Sequence, residues 1–195
     1  SKDVANNSTN YVTAITIGGG TASMNNYQIT AAYNASAGNT QNTVTLSKAT
    51  LTVTGTTAPS KTYDGTTTTT ITGGTISGKL GTDTVTLTQA GAYSSPNAGS
   101  GISITMNDSI DATSAANYNL TQPTVTGTIN KAPLGITVSG TYSGSTTLLA
   151  PTFTTTGLVT VSGVTETITS LTNATLNSKD VANNSTNYVT AITIG

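Results

Sequence analysis

Cysteine, histidine, arginine and tryptophan are all missing from this 195-residue chain, and charged residues make up 7% of it, against about 25% in an average soluble protein. Each absence removes a class of function. Without cysteine there is no disulfide, no thiolate metal site and no cysteine nucleophile, a composition that suits export through an oxidising compartment. Six lysines face seven acidic residues, for a net charge of −1, so no basic patch can be built for nucleic acid or for an anionic membrane surface. Glu166 is the sole glutamate, which leaves little from which to assemble a general acid–base pair or an activated nucleophile. The chain is therefore not expected to be an enzyme. No apolar run approaches the length needed to span a bilayer, so membrane insertion is not expected either.

What is present is repetition. The stretch SKDVANNSTNYVTAITIG occupies residues 1–18 and recurs without change at residues 178–195, a spacing of 177. Identity over so long a stretch is not a chance event, and self-similarity at a fixed period is the mark of a repeat architecture. The chain reads as a window slightly longer than one period of a tandem array, its ends being cut points within a longer protein.

A weaker repeat lies inside the period. Lys48-Ala49-Thr50-Leu51-Thr52-Val53 matches Lys131-Ala132-Pro133-Leu134-Gly135-Ile136. Each is followed by a Tyr-x-Gly turn, Tyr63-Asp64-Gly65 in one block and Tyr142-Ser143-Gly144 in the other. Each block also carries an Asn-Tyr element, Asn117-Tyr118-Asn119-Leu120 and Asn26-Tyr27-Gln28-Ile29. Three segments follow: 1–47 as the rear part of a second-type domain, 48–130 as a complete first-type domain, and 131–195 as the front part of the second type. Both domains have the size of small single β domains.

Alternation of period two dominates. Leu51 and Val53, Val85 and Leu87, Ile102, Ile104 and Met106, Val125 and Ile129, and Val189, Ile192 and Ile194 fall between threonines, serines or other small residues. Such spacing puts aliphatics on one face of a strand and hydroxyls on the other. Threonine, about a quarter of the chain, favours extended backbone through its β-branch yet stays wettable. Turn residues such as Ser95-Pro96-Asn97 and Asn107-Asp108 separate the runs. The expectation is all-β: tandem small antiparallel β-sandwich domains, Ig-like or β-grasp-like, forming a rod. Two short segments, Asp111 to Ala116 with Asp111 as cap and Ser178 to Asn183, read equally as one helical turn or as polar loop.

The Lys61-Thr62-Tyr63-Asp64-Gly65-Thr66-Thr67 opening, the Asn117-Tyr118-Asn119-Leu120 element and the closing Thr126-Gly127-Thr128-Ile129-Asn130-Lys131-Ala132 together resemble the YDG repeat domain. The block with Tyr142-Ser143-Gly144 and Asn26-Tyr27-Gln28-Ile29 is similar to the related MBG-type domains, with Ser143 standing where the first block has Asp64. The resemblance implies stalk-like tandem domains of very large secreted or surface-anchored bacterial proteins, often adhesins of the filamentous-haemagglutinin kind.

Candidate chemistry is sparse. Asn107, Asp108 and Asp111 offer hard oxygens of the type calcium accepts, but the full loop patterns are missing and a solvated turn explains them as well; no other cofactor is expected. Tyr63, Tyr118, Tyr142 and Tyr27, with Asp64, Gly65 and Gly144, recur at matching places in the two blocks, and recurrence favours structural packing with a hydrogen-bonded hydroxyl over an exposed binding platform. The reading is a structural repeat of an extracellular fibre or adhesin stalk on the bacterial cell surface, with neighbouring copies of the same repeat and laterally associated fibres as partners. Its alternative is a ligand-binding module for a glycan, mineral or ice surface. Covalent continuity and strand exchange between chains are both compatible with the repeated ends.

Overall fold

In a computed structural model of the chain, the structure describes residues 2–6, 10–12, 20–21, 26–27 and 44–194. Among the described residues, secondary structure is mostly strand, in several small sheets, with one short α-helix at Ala112–Asn117 and 3-10 turns at Val4–Asn6 and Val181–Asn183. No helix among the described residues is long and apolar enough to cross a membrane. The chain divides into two compact units. One draws on the described part of Ser1–Ala58 together with Thr70–Gly91 and Thr105–Val125; the other takes Pro59–Thr69, Ala92–Ile104 and Thr126–Gly195.

The first unit is built around the strand Ala49–Thr54. Its burial alternates as the sequence pattern requires, with Leu51 and Val53 inside and the threonines outside. It lies between Thr75–Ser77, paired antiparallel, and Tyr118–Thr121, paired parallel in the register Ala49 to Tyr118 and Leu51 to Leu120. Parallel neighbours cannot be joined by a tight turn and need a long connection, which the stretch between Thr54 and Tyr118 supplies. The purely antiparallel arrangement expected from the alternation is thus replaced by a mixed sheet, because the block's first strand closes against its late one.

A second small ladder, Leu87–Thr88 with Ser109–Ile110, is shorter than the alternation around Val85 and Leu87 predicts. The reason is local. The ladder stops at Thr86, which still accepts from the Asp111 N–H (3.1 Å) but donates its own N–H to Asp111 Oδ2 (2.9 Å), because the Asp111 carbonyl accepts from Ala115 in the helix (2.9 Å). Asp111 also caps the helix: its Oδ1 accepts from the Ser114 N–H at 2.9 Å. Of the two readings left open for this segment, the capped helical turn is the one observed.

A four-stranded sheet in the order Lys61–Thr62, Val125–Asn130, Gly99–Met106, Gly91–Tyr93 lies mainly in the second unit. Ile104, Val125 and Ile129 point inward, as their alternation predicts. Gly127 occupies an inward position on the same strand because a ring fills the space its side chain would need. A Cβ there would stand 2.5 Å from the Tyr93 hydroxyl and 2.9 Å from its Cε1. Tyr93 is buried, and its hydroxyl donates toward the carbonyls of Thr128 (3.2 Å) and Pro59 (3.4 Å). Beyond Lys131 the chain forms a ladder of Gly135–Ser139 with Thr152–Thr156, a hairpin of Thr160–Val161 with Val164–Thr165, and a sheet ordered Thr147–Leu149, Leu171–Leu176, Val189–Ile194.

Leu51 and Ile129 are the largest fully buried side chains, and each contributes roughly 1.5–3 kcal/mol through burial alone. Leu51→Ala should therefore cost about 2–5 kcal/mol, since it adds a cavity to the lost transfer energy. Leu149→Ala, at a residue 78% exposed, should stay within about 0.5 kcal/mol of the parent. Urea unfolding of both variants, followed by far-ultraviolet circular dichroism, checks the contrast.

Candidate functional site

The Tyr63-Asp64-Gly65 turn follows directly from the parallel pairing of Lys61–Thr62 with Ile129 and Asn130. The Tyr63 N–H extends that ladder by one bond, donating to the Asn130 carbonyl at 2.8 Å. The chain then reverses over Gly65, which sits at φ +72°, a conformation that favours glycine. Asp64 stabilises the reversal as an Asx turn: its Oδ1 accepts from the Thr66 N–H at 2.9 Å and from the Thr66 hydroxyl at 2.8 Å. Lys61 completes the loop from within. Its ammonium lies 2.7 Å from Asp64 Oδ1 and donates to the carbonyls of Thr66 (2.9 Å) and Thr68 (3.1 Å). The Lys61 hydrogen bond first, then the Thr66 N–H and hydroxyl, hold the Asp64 carboxyl down at about 2.

The turn does not end in solvent. Tyr63 donates its hydroxyl to Glu166, the sole glutamate of the chain. That hydrogen bond raises the Tyr63 pKa above its ordinary value, with burial and the glutamate charge adding to it. Gly65 faces the hairpin that precedes Glu166: a Cβ at Gly65 would collide with Val161. A hydroxyl–carboxylate bond and a close backbone-to-valine contact therefore fasten the turn to the hairpin Thr160–Val161 and Val164–Thr165. The equivalent Gly144 has almost the same φ, +75°, yet nothing lies within 4 Å of its Cβ position. The two Tyr-x-Gly turns share a backbone requirement and differ in what covers them.

The recurrent tyrosines divide the same way. Tyr118 is buried, and its hydroxyl donates to Asp83 Oδ2 (2.9 Å) while accepting from the Leu80 N–H (3.0 Å). Tyr142 and Tyr27 are 57% and 65% exposed. Tyr142 carries the Lys179 ammonium over its ring, 5.9 Å from the centroid, a cation–π geometry. Tyr118 is thus buried with its hydroxyl bonded, Tyr63 is half-buried with its hydroxyl on Glu166, and Tyr142 and Tyr27 are exposed. Residues 28–29 of the Asn26-Tyr27-Gln28-Ile29 element lie outside the described residues.

A third group joins residues 2–4 to the end of the helix. Lys2 donates to Asp83 Oδ1 at 3.0 Å. The Val4 N–H donates to Asn117 Oδ1 at 2.8 Å, and Asn117 Nδ2 donates back to Asp3 Oδ1 at 3.1 Å. Val4 lines a cavity of about 430 Å³ with Leu46, Ala49, Leu80 and Tyr118. The Asp83 carboxyl is held below its ordinary value by Lys2 first and by the Tyr118 hydroxyl second.

Of the calcium candidates, Asp108 is buried. Its Oδ1 accepts from the Ala90 N–H (3.0 Å), while its Oδ2 is buried without a hydrogen-bond partner. Both oxygens of Asp111 are committed to Thr86 and Ser114. A calcium ion held by Asn107, Asp108 and Asp111 would have to displace the helix cap, and among the described residues no three acidic side chains converge. Asp83 and Tyr93 carry no signal in the sequence. Lys61 stands out only as the first residue of the YDG opening and Glu166 only by being alone, and nothing in the sequence links Glu166 to Tyr63.

Two outcomes are expected. Gly65→Ala should destabilise more than Gly144→Ala, because both incur left-handed strain of about 1–2 kcal/mol but only the first meets Val161. The excess should shrink in a Val161→Ala background, a coupling read by a double-mutant cycle in chemical denaturation. The Asp64 and Asp111 carboxyls both lie at about 2 in the folded chain, below the 3.8 of a free aspartate. Their contribution to stability is present above pH 4 and lost as pH falls from about 4 to about 2. An acid titration of the unfolding midpoint should have that slope, reduced in Asp64→Asn.

No curated protein and no solved structure matches the chain. The model of the YDG domain family matches residues 47–126, a span that holds the Lys61–Thr66 loop, the Asn117-Tyr118 element and the Asp83 contact. With its signature turn built by Lys61, Tyr63, Asp64 and Gly65, the segment 47–126 is a YDG domain.

Proposed function

We propose that this chain is a structural tandem-repeat unit of an extracellular bacterial fibre or giant adhesin stalk, serving surface attachment or cell–cell and biofilm cohesion. The observation that carries the reading is the unchanged recurrence of residues 1–18 at 178–195 on either side of a YDG domain. In this reading, small β domains of two alternating types follow one another as a rod on the cell surface. The work is mechanical: hydrogen-bonded ladders and small apolar cores carry load, and neighbouring copies are the partners. Threonine-rich faces meet water or adjacent fibres, and the near-zero net charge offers little repulsion to oppose lateral association.

A second reading, a ligand-binding module, draws support from the exposure of Tyr142, Tyr27 and Tyr188, since exposed tyrosines suit a glycan or mineral surface. It predicts saturable adsorption of the isolated chain to such a surface, reduced by Tyr142→Ala.

The decisive measurement is the mass of the denatured natural polypeptide. Many multiples of 19.4 kDa are expected. A mass near a single unit would sink the tandem array and leave assembly between separate chains.

A further inference from the structure

Asp64 and Gly65 form the only Asp-Gly bond of the chain. Of all aspartyl bonds this type is the most open to spontaneous rearrangement, because glycine has no side chain to shield its amide nitrogen. The Gly65 nitrogen can attack Asp64 Cγ. An N–Cγ bond forms, the Cγ–OH bond of the protonated carboxyl breaks, and that OH leaves as water with the amide proton. Water then reopens the cyclic imide at either carbonyl. Opening at Cγ restores aspartate. Opening at the Asp64 main-chain carbonyl leaves isoaspartate, whose main chain runs through Cγ and is longer by a methylene.

The turn opposes both requirements of this attack. The first is a neutral carboxyl, since a carboxylate is a poor target for a nucleophile. Lys61 Nζ stands 2.7 Å from Asp64 Oδ1, and the Thr66 N–H and hydroxyl donate to the same oxygen at 2.9 and 2.8 Å. With Lys61 as the largest cause, the carboxyl is held down at about 2 rather than 3.8. At about pH 5 the neutral form therefore falls from roughly one molecule in twenty to about one in a thousand. Glu166, the other charged group packed against the turn, is engaged by the Tyr63 hydroxyl. The second requirement is that Cγ swing back onto the Gly65 nitrogen. Oδ1 is instead drawn forward to Thr66 and Lys61, and Gly65 is held at φ +72° against Val161. Lys61 is itself fixed in place: its side chain is 17% exposed and its ammonium also donates to the carbonyls of Thr66 and Thr68.

We propose that Asp64–Gly65 is a site of spontaneous aspartate isomerisation, and that Lys61 and Thr66 form the latch that keeps it closed. Isomerisation would undo the turn. The added methylene moves the carboxyl away from Thr66 and Lys61, and it shifts Gly65 against Val161 and Tyr63 against Glu166, the two contacts that fasten the turn to its hairpin. Lys61 thus has a chemical task besides its place in the strand: it preserves the covalent identity of the bond it braces. The inference goes beyond the fibre reading and does not rest on it, since it concerns the lifetime of this turn in the chain itself.

The test compares the full chain with its Lys61→Met variant, which keeps the aliphatic stem and removes the cation. Both are aged, folded, in buffer of about pH 5, above the ordinary aspartate range. Isoaspartate at residue 64, and the imide that lacks the mass of a water, are then quantified by peptide mapping with fragmentation mass spectrometry. Residue 64 should isomerise about tenfold faster in Lys61→Met, as expected from the return of much of the neutral carboxyl. A general loosening of the chain would also accelerate Asp108–Ser109, so that bond serves as the reference and should keep its rate. If Lys61→Met shows no cooperative unfolding transition, Thr66→Val, which removes only the hydroxyl contact, decides: its rate at residue 64 should exceed that of the unsubstituted chain. Equal rates at residue 64 with and without the substitution overturn the inference, as does equal acceleration of both bonds.

Discussion

Two parallel pairings within the block 48–130 are the constraint on which the other features depend. Ala49–Thr54 lies beside Tyr118–Thr121, and Lys61–Thr62 beside Ile129 and Asn130. Early residues of the block are thereby held in register with late ones, through connections far longer than a hairpin turn. The first pairing sets Tyr118 and Asn117 next to the start of the domain, where they meet Asp83 and the segment 2–4. The second sets the Tyr63-Asp64-Gly65 turn next to the strand that leads out through Asn130.

Scarcity of charge shapes how those sites are made. With thirteen acids and lysines in the whole chain, three of the charged groups each serve several partners. Lys61 serves Asp64, Thr66 and Thr68 at once. Asp111 holds Thr86 and caps the helix. Asp83 takes both Lys2 and Tyr118. Exposed ion pairs contribute little by themselves, about 0–1 kcal/mol. Their effect here is geometric: each ties a loop to a strand or a cap to a turn, in sheets of two to four strands that bury few side chains completely.

The boundary between the sequence blocks at Lys131 and the division into compact units do not coincide. Lys61–Thr62 and the YDG turn belong to the first block by sequence, yet group with Val125–Asn130 and the Thr160–Thr165 hairpin in space. The contacts responsible are the Lys61–Ile129 register, the Tyr63–Glu166 bond and the Gly65–Val161 approach. Sequence homology follows descent, whereas compactness follows burial. A motif that fastens one block to the next is counted with its neighbour by the second criterion.

The alternation of Leu51 with Val53 and of Val125 with Ile129 made these strands and their inward faces legible in advance, because a side chain's face along a strand depends only on its parity. Gly65 was legible for a similar reason, since a turn is satisfied within three or four residues, whereas the Asp111 segment read equally as a capped helical turn or a polar loop. The repeat itself is purely a property of the text. Which strands would be neighbours was not legible, since pairing depends on residues far apart and a period-two pattern is silent on direction; the parallel registers emerged only in three dimensions. The same holds for Glu166 under Tyr63 and for Tyr93 in the space left by Gly127. Most telling are residues 2–6 and 179–183, identical in sequence and alike in their 3-10 turn and in the bond from Asn6 or Asn183 back to the carbonyl of Asp3 or Asp180. Sequence determined their shape because the bonds that make it are internal to the stretch. Only tertiary structure decided that one copy rests on Asp83 and Asn117 and the other beside Tyr142, because that depends on what the rest of the chain brings alongside.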